Sequence, residues 1–217
     1  MEHTKKSIII VGAGPGIGRG VAEKFGTEGY NVGLISRNAK SLETLKEQLE
    51  NEGIVTVYAT ADVTNIEAFS KALRGLNEKL PNVTVVHYNV APMAPKHLLS
   101  YDTESFIKDL HIGLGGIITV INTLFGKLKV NKGGLLLTGG GFADYPSADF
   151  ATTSIAKAGI RNLAPQLFEA LKEEGMYAGA LEIFGEVSET AERHNPKAIG
   201  EQFFQLWQNR SEALVKY

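Results

Sequence analysis

A glycine-rich loop, a cationic strand end and a lone lysine near a helix start are the parts of this sequence best suited to chemistry. The loop is Gly12-Ala13-Gly14-Pro15-Gly16-Ile17-Gly18. Glycine lets a backbone turn tightly and approach a phosphate, and a helix start beyond it supplies free N–H groups and a positive dipole end. A strand-to-helix turn that merely needs flexibility would also take glycine. Context separates the two readings: an apolar run precedes the loop and a helical pattern follows it, as a nucleotide-binding βαβ unit requires. Ser36-Arg37-Asn38 closes the next β-rich run. A site for NAD places a carboxylate there, on the 2′-hydroxyl of the adenosine ribose. Arginine instead attracts a 2′-phosphate through charge-assisted hydrogen bonds. Arg37 therefore favours NADP(H) over NAD(H), the alternative being an exposed surface arginine, and Arg19 adds charge nearby. The lysine is Lys157 in FATTSIAKAG, residues 150–159, with Thr153 four positions before it.

The elements that must hold these residues alternate between β-rich and helical patterns. Ser7 to Val11 is a continuous apolar run, as expected of a strand buried on both faces. Further strands are predicted at Tyr30–Ser36, Ile54–Thr60, Val83–His87, Leu135–Thr138 and Ala178–Ile183, with a short seventh at Leu214–Tyr217. Leu42, Leu45 and Leu49 mark one helix face, and Glu43, Lys46, Glu47 and Glu50 its solvated side. Thr64-Asn65-Ile66-Glu67 reads as a capping box, and Asn195-Pro196 as an N-cap followed by proline at the first helical position. A long helix is expected from about Thr103 to Lys129, where Gly113, Gly115 and Gly116 imply a kink or the close approach of another backbone. Another is expected from Ser154 to Glu174.

Such alternation implies right-handed crossovers and one doubly wound parallel sheet of six or seven strands, helices on both faces, spanning 1–217 as a single domain. Ligands of such sheets bind beyond the carboxyl ends of the strands. The loops Asp62-Val63 and Asn89-Val90-Ala91 lie there. Asp62 is a ligand or a helix-capping group, and Asn89 a ligand or a turn former.

Composition narrows the class. With 43% apolar and 21% charged residues the chain can bury a core, and its formal charge of −2 argues against a nucleic-acid partner. There is no cysteine, and His3, His87, His97, His111 and His194 lack metal-ligand spacing, so no metal is expected. The apolar stretch near the start is too short for a signal peptide or a membrane span, so the expected location is the cytoplasm with no membrane partner.

In order and spacing these features resemble the short-chain dehydrogenase/reductase family over nearly the whole chain. Gly12, Gly16 and Gly18 match its glycine motif, Arg37 its NADP-preferring basic position, and Asp62-Val63 its adenine-contacting pair. Tyr88-Asn89-Val90-Ala91 is similar to its Asn-Asn-Ala-Gly, and Phe184-Gly185-Glu186-Val187 falls at the segment bracketing nicotinamide. The resemblance implies a Rossmann-like fold, a cofactor site of Gly12, Gly14, Gly16, Ile17, Gly18, Ser36, Arg37, Asp62, Val63, Asn89, Ala91, Lys157, Gly185 and Val187, and a homodimer or homotetramer paired through the long helices. It also implies hydride transfer to an unidentified small carbonyl or alcohol substrate.

In that family a tyrosine donates the proton, with a lysine, a serine and an asparagine beside it. Here Lys157 aligns with the lysine, Thr153 with the tyrosine, Gly140 with the serine, and the asparagine falls near Gly113. An aliphatic hydroxyl is several pKa units less acidic than a phenol, whose pKa is about 10, and threonine is shorter by a ring. Lys157 is read as a ribose ligand. Tyr145 is the substitute donor considered, with Tyr88 and His111 behind it. Two functions follow: an NADP(H)-dependent oxidoreductase with an atypical active site, or a catalytically silent NADP(H)-binding sensor or partner protein.

Overall fold

The computed structural model describes residues 5–217. His3 and the residues around it, on which part of the histidine and leader readings rest, lie outside the described residues.

Seven parallel strands form one sheet in the order β3-β2-β1-β4-β5-β6-β7. They are β1 (Ser7–Val11), β2 (Asn31–Ser36), β3 (Thr56–Thr60), β4 (Val83–Tyr88), β5 (Gly134–Gly140), β6 (Tyr177–Ile183) and β7 (Leu214–Lys216). The helices are α1 (Ile17–Thr27), α2 (Ala39–Asn51), α3 (Ile66–Lys79), α4 (Thr103–Leu110), α5 (Gly116–Val130), α6 (Ala151–Glu173) and α7 (Pro196–Asn209). The expected doubly wound fold is the one observed, with the short seventh strand present. The direction of strand progression reverses between β1 and β4, and that reversal opens a crevice at their carboxyl ends.

The unbroken apolar run of β1 is divided between two cores. Ile8 and Ile10 pack with Phe25, Leu42 and Phe203 of α1, α2 and α7. Ile9 and Val11 pack with Phe69, Val120 and Ile160 of α3, α5 and α6. Alternate residues of a strand face opposite ways, so a strand covered on both sides must be apolar throughout. On the first face α1 and α7 nearly touch: a β-carbon on Gly20 would come within 1.8 Å of the Pro196 carbonyl oxygen.

Local chemistry sets the element ends, with two corrections to expectation. Asn195 caps α7 as read, its Oδ1 accepting from Ala198 N at 2.9 Å with Pro196 next. At α3, however, Asn65 is the cap and accepts from Ala68 N at 3.0 Å, because Thr64 is turned toward Asp62. The long helix is two helices joined by a π-helical turn over His111–Gly115. The glycines there make room chiefly for side chains: a β-carbon would meet Ala156 Cβ at 2.4 Å from Gly113, and Tyr88 Oη at 2.1 Å from Gly116. The stretch Thr103–Val130 is long and apolar enough to cross a membrane by length and composition; here it packs against α3 and α6. Helix α6 begins at Ala151, three residues before the expected start, so Thr153 and Lys157 share one helix, one turn apart.

Candidate active site

Two adjoining cavities lie at the carboxyl end of the sheet. The larger, about 870 Å³, runs from the glycine loop past Arg37, Asp62 and Asn89 to Lys157. The smaller, about 660 Å³, is walled by Ile17, Met93, Gly139–Gly141, Phe142, Tyr145, Ile183, Phe184, Gly185 and Val187. Thr138 and Lys157 line both, so Lys157 stands where they join.

The glycines of the loop differ in what they do. Gly12 has φ +86°, and a β-carbon there would lie 2.8 Å from the Asn89 carbonyl oxygen. Gly18 would clash with the loop's own backbone at 3.0 Å, so both residues let the chain pack on itself. Gly14 and Gly16 face nothing within 4 Å and line the larger cavity. No side chain caps α1 at Gly16. The amino end of α1 therefore offers backbone N–H groups and its dipole to an anion in the cavity.

Arg37 is exposed at the end of β2 and lines the cavity, and no ion pair engages it among the described residues. Arg19 is not a second free cation: it pairs with Glu189 and lies 3.6 Å from Glu23. Asp62 Oδ1 accepts from Thr64 N at 2.9 Å and from Thr64 Oγ1 at 2.7 Å, shaping the turn before α3. Burial pushes the Asp62 carboxyl up, but the Thr64 hydrogen bonds, with Arg37 and Lys108 nearby, outweigh it and hold the group below the ordinary range.

Asn89 acts as a clamp between strands. Its Nδ2 donates to Gly12 O at 3.2 Å, and its Oδ1 accepts from Thr138 Oγ1 at 2.9 Å. His87 Nε2 also lies 2.9 Å from Thr138 Oγ1. This buried chain fixes Thr138, whose carbonyl oxygen accepts from Lys157 Nζ at 2.6 Å. Lys157 is only 8% exposed and makes no ion pair among the described residues. Burial alone pushes its ammonium down to about 8.

A family model described as short chain dehydrogenase matches residues 6–191. The chain belongs to the short-chain dehydrogenase family. Its seven-stranded parallel sheet flanked by helices is that family's Rossmann-like fold. It is 29% identical over 116 residues to the human short-chain dehydrogenase/reductase 3, covering 53% of this chain but 38% of that protein. It is 25% identical over 176 residues to a 3-oxoacyl-acyl-carrier-protein reductase of Buchnera aphidicola, covering 76% and 71% of the two chains. Among solved structures, a short-chain dehydrogenase from Rhodopseudomonas palustris superposes with a TM-score of 0.84 at 21% identity over 98% of this chain and 97% of that one. An actinorhodin polyketide ketoreductase variant with NADPH gives 0.86 at 17% over 97% and 95%. At these identities the structures speak for the Rossmann-like fold.

Within this short-chain dehydrogenase fold the expected catalytic groups do not all converge. Thr153 is fully buried, lines neither cavity, and donates its hydroxyl to the Pro92 carbonyl. Its candidacy as a catalytic group is corrected on that ground. Tyr88 is buried and donates to Ile112 O at 2.6 Å, burial pushing its phenol far up, and His111 Nε2 lies 3.0 Å from Val63 O. Neither lines either cavity. Tyr145 does line the smaller cavity, at 74% exposure. Its loop is held by Asp144, which accepts from Arg161 and from Lys216 Nζ at 2.9 Å. Those two cations pull Asp144 down to about 2.

Sequence reasoning missed the apolar wall of Met93, Phe142, Ile183 and Phe184, and the part played by Thr138. Thr138 at the end of a strand read as buried was the available signal, since a polar residue there needs a partner.

Proposed function

We propose that this protein is an NADP(H)-dependent oxidoreductase with an atypical active site, acting on a small neutral carbonyl or alcohol. The observation that carries the cofactor preference is Arg37: a guanidinium at the end of β2 with no ion pair among the described residues, lining the larger cavity where a carboxylate would select NAD. The residues present fit the dinucleotide. Gly14, Gly16 and the uncapped start of α1 suit the pyrophosphate, Arg37 with Ser36 the 2′-phosphate, and Asp62 with Val63 the adenine. Lys157, with Asn89 and Ala91 in the lining of the same cavity, suits the nicotinamide ribose, and Gly185 and Val187 would flank the ring. When bound, the nicotinamide supplies or accepts a hydride. The smaller cavity carries no carboxylate or guanidinium, which suits a neutral apolar substrate.

The same reading places the protein in the cytoplasm, without a nucleic-acid, metal or membrane partner, as a homodimer or homotetramer joined through α4, α5 and α6. Ile107, Ile118 and Ile155 are exposed on those helices. The second reading is a silent NADP(H)-binding sensor or partner subunit; the engagement of Thr153 with Pro92 favours it. Titration with NADPH and NADH, followed by turnover on a carbonyl panel, decides. Tighter NADPH binding with turnover is expected. Binding without turnover supports the silent reading, and failure to bind either nucleotide overturns both.

A further inference from the structure

The smaller cavity contains few groups able to give up a proton. Of its lining residues only Tyr145 and Lys157 are ionisable. The one other hydroxyl, that of Thr138, is already engaged with Asn89 and His87. The Tyr145 phenol sits at the rim, largely in water, with no hydrogen bond to hold it among the described residues. Lys157 is the opposite case. Its stem passes Gly140, where a β-carbon would stand 3.8 Å from Cε, and its ammonium is fixed by Thr138 O. An ammonium has three N–H donors, so one bond to Thr138 leaves two for ligands on the two sides of the join.

We propose that Lys157 is the proton donor to the substrate oxygen in this cavity, a role that rests on the oxidoreductase reading above. A reduced nicotinamide, when bound, would supply a hydride with its electron pair to the carbonyl carbon. The C=O π pair moves to oxygen, and that oxygen takes a proton as a Lys157 N–H bond breaks. The neutral amine left behind regains a proton from water. Charges around the group suit this. The titratable ring that senses its charge from β4 is His87, which burial keeps neutral near pH 7, and Tyr145 shares the lining of the smaller cavity with it. No carboxylate lies within 4.0 Å to hold the proton back, among the described residues. Desolvation makes the ammonium a better acid than a free lysine while leaving it charged at pH 7.

The test joins a spectroscopic and a kinetic arm on the whole chain. With lysine labelled at Cε, the Lys157 resonance of the nucleotide-free protein should titrate with a midpoint near 8; a midpoint near that of free lysine overturns the proposal without touching the oxidoreductase reading. Lys157→Arg keeps the charge but cannot release a proton at these pH values. With NADPH raised to saturation, to offset any loss of the ribose contact, it should reduce carbonyls at least about a hundredfold more slowly than the native chain. Near-native reduction by Lys157→Arg, with a comparable loss in Tyr145→Phe, overturns the proposal in favour of the phenol. Should Lys157→Arg fold poorly, the native chain still decides: its reduction rate should fall about tenfold per pH unit above the Lys157 midpoint, and a flat profile overturns the assignment. A native chain that binds NADPH but reduces nothing overturns the underlying reading instead.

Discussion

A β-carbon placed on Gly140 would stand 3.8 Å from Cε of Lys157 and no nearer than 3.5 Å to any other atom, so this glycine opens onto space beside the lysine. Its φ of 169° is extended backbone that any residue adopts. One position earlier, a β-carbon on Gly139 would press to 2.7 Å from Glu182 Cγ and 3.2 Å from its Cα. Gly140→Ser should therefore leave thermal stability within about 0.5 kcal/mol of native, whereas Gly139→Ser should lose roughly 1–3 kcal/mol through overpacking. If the smaller cavity holds the substrate oxygen, the new hydroxyl of Gly140→Ser should also speed carbonyl reduction several-fold. Thermal unfolding and steady-state turnover on both variants check the pair.

Arg37 has no ion-pair partner among the described residues, so its exchange mainly alters the larger cavity. Arg37→Asp should weaken NADPH by about 1.5–3 kcal/mol, the worth of hydrogen bonds to a charged group, and leave NADH nearly unchanged or tighter. Fluorescence titration with each nucleotide measures this; equal losses for both refute the 2′-phosphate assignment.

At the crossing of α1 and α7, Gly20 faces Pro196 O at 1.8 Å and Gly200 faces Gly20 O at 2.2 Å, each measured from a hypothetical β-carbon. Alanine at either position must push the helices apart. Gly20→Ala should destabilise by about 1–3 kcal/mol or more, despite alanine's better helix propensity. Urea unfolding of Gly20→Ala, with the open-faced Gly75→Ala as the contrasting gain, makes the comparison.

These glycines mark the limit of what the sequence reveals. Strand identity was legible because a doubly covered strand must be apolar on both faces, as Ile8 to Val11 are. The Asn195-Pro196 cap was legible because its chemistry is local. Spacing also brought Arg37, the glycine loop and Lys157 to one end of the sheet. What stayed hidden depends on partners distant along the chain. Thr153 looked available until Pro92, 61 residues away, took its hydroxyl. Arg19 looked free until Glu189, 170 residues on, paired with it. Thr64 lost the cap to Asn65 because Asp62 holds its hydroxyl.

Burying the charge of Lys157 opposes folding. Its folded value, near 8, lies below the ordinary 10.5 because burial disfavours the ammonium. At pH 7 both states are charged and the native state carries the desolvation cost. Between about pH 8 and 10.5 the unfolded chain holds more protons, so native stability rises with pH there. Lys157→Met should therefore raise stability at pH 7 by roughly 1–2 kcal/mol, after allowance for the lost hydrogen bond to Thr138, and should lack the alkaline rise. Urea unfolding of both proteins at pH 7 and pH 10 would expose a wrong sign.

The acid side should be governed first by His87. Its ring is fully buried, 4.4 Å from the Phe203 ring, with Nδ1 unpartnered among the described residues and Nε2 on Thr138. Burial, and then the Lys157 charge, push it down from 6.5 to about 3. As pH falls through 6.5 the unfolded chain takes up a proton that the native chain refuses until near 3, so stability declines across that window. The slope from this one group approaches about 1.4 kcal/mol per pH unit. Asp144, held near 2 by Arg161 and Lys216, adds its loss only below about 4, as protonation breaks those pairs. His87→Gln should be less stable at pH 7, where it fits the Thr138 and Phe203 contacts imperfectly, yet show a flatter decline between pH 6 and 4.5. Chemical denaturation across that range compares the slopes, and parallel curves would remove His87 from the account.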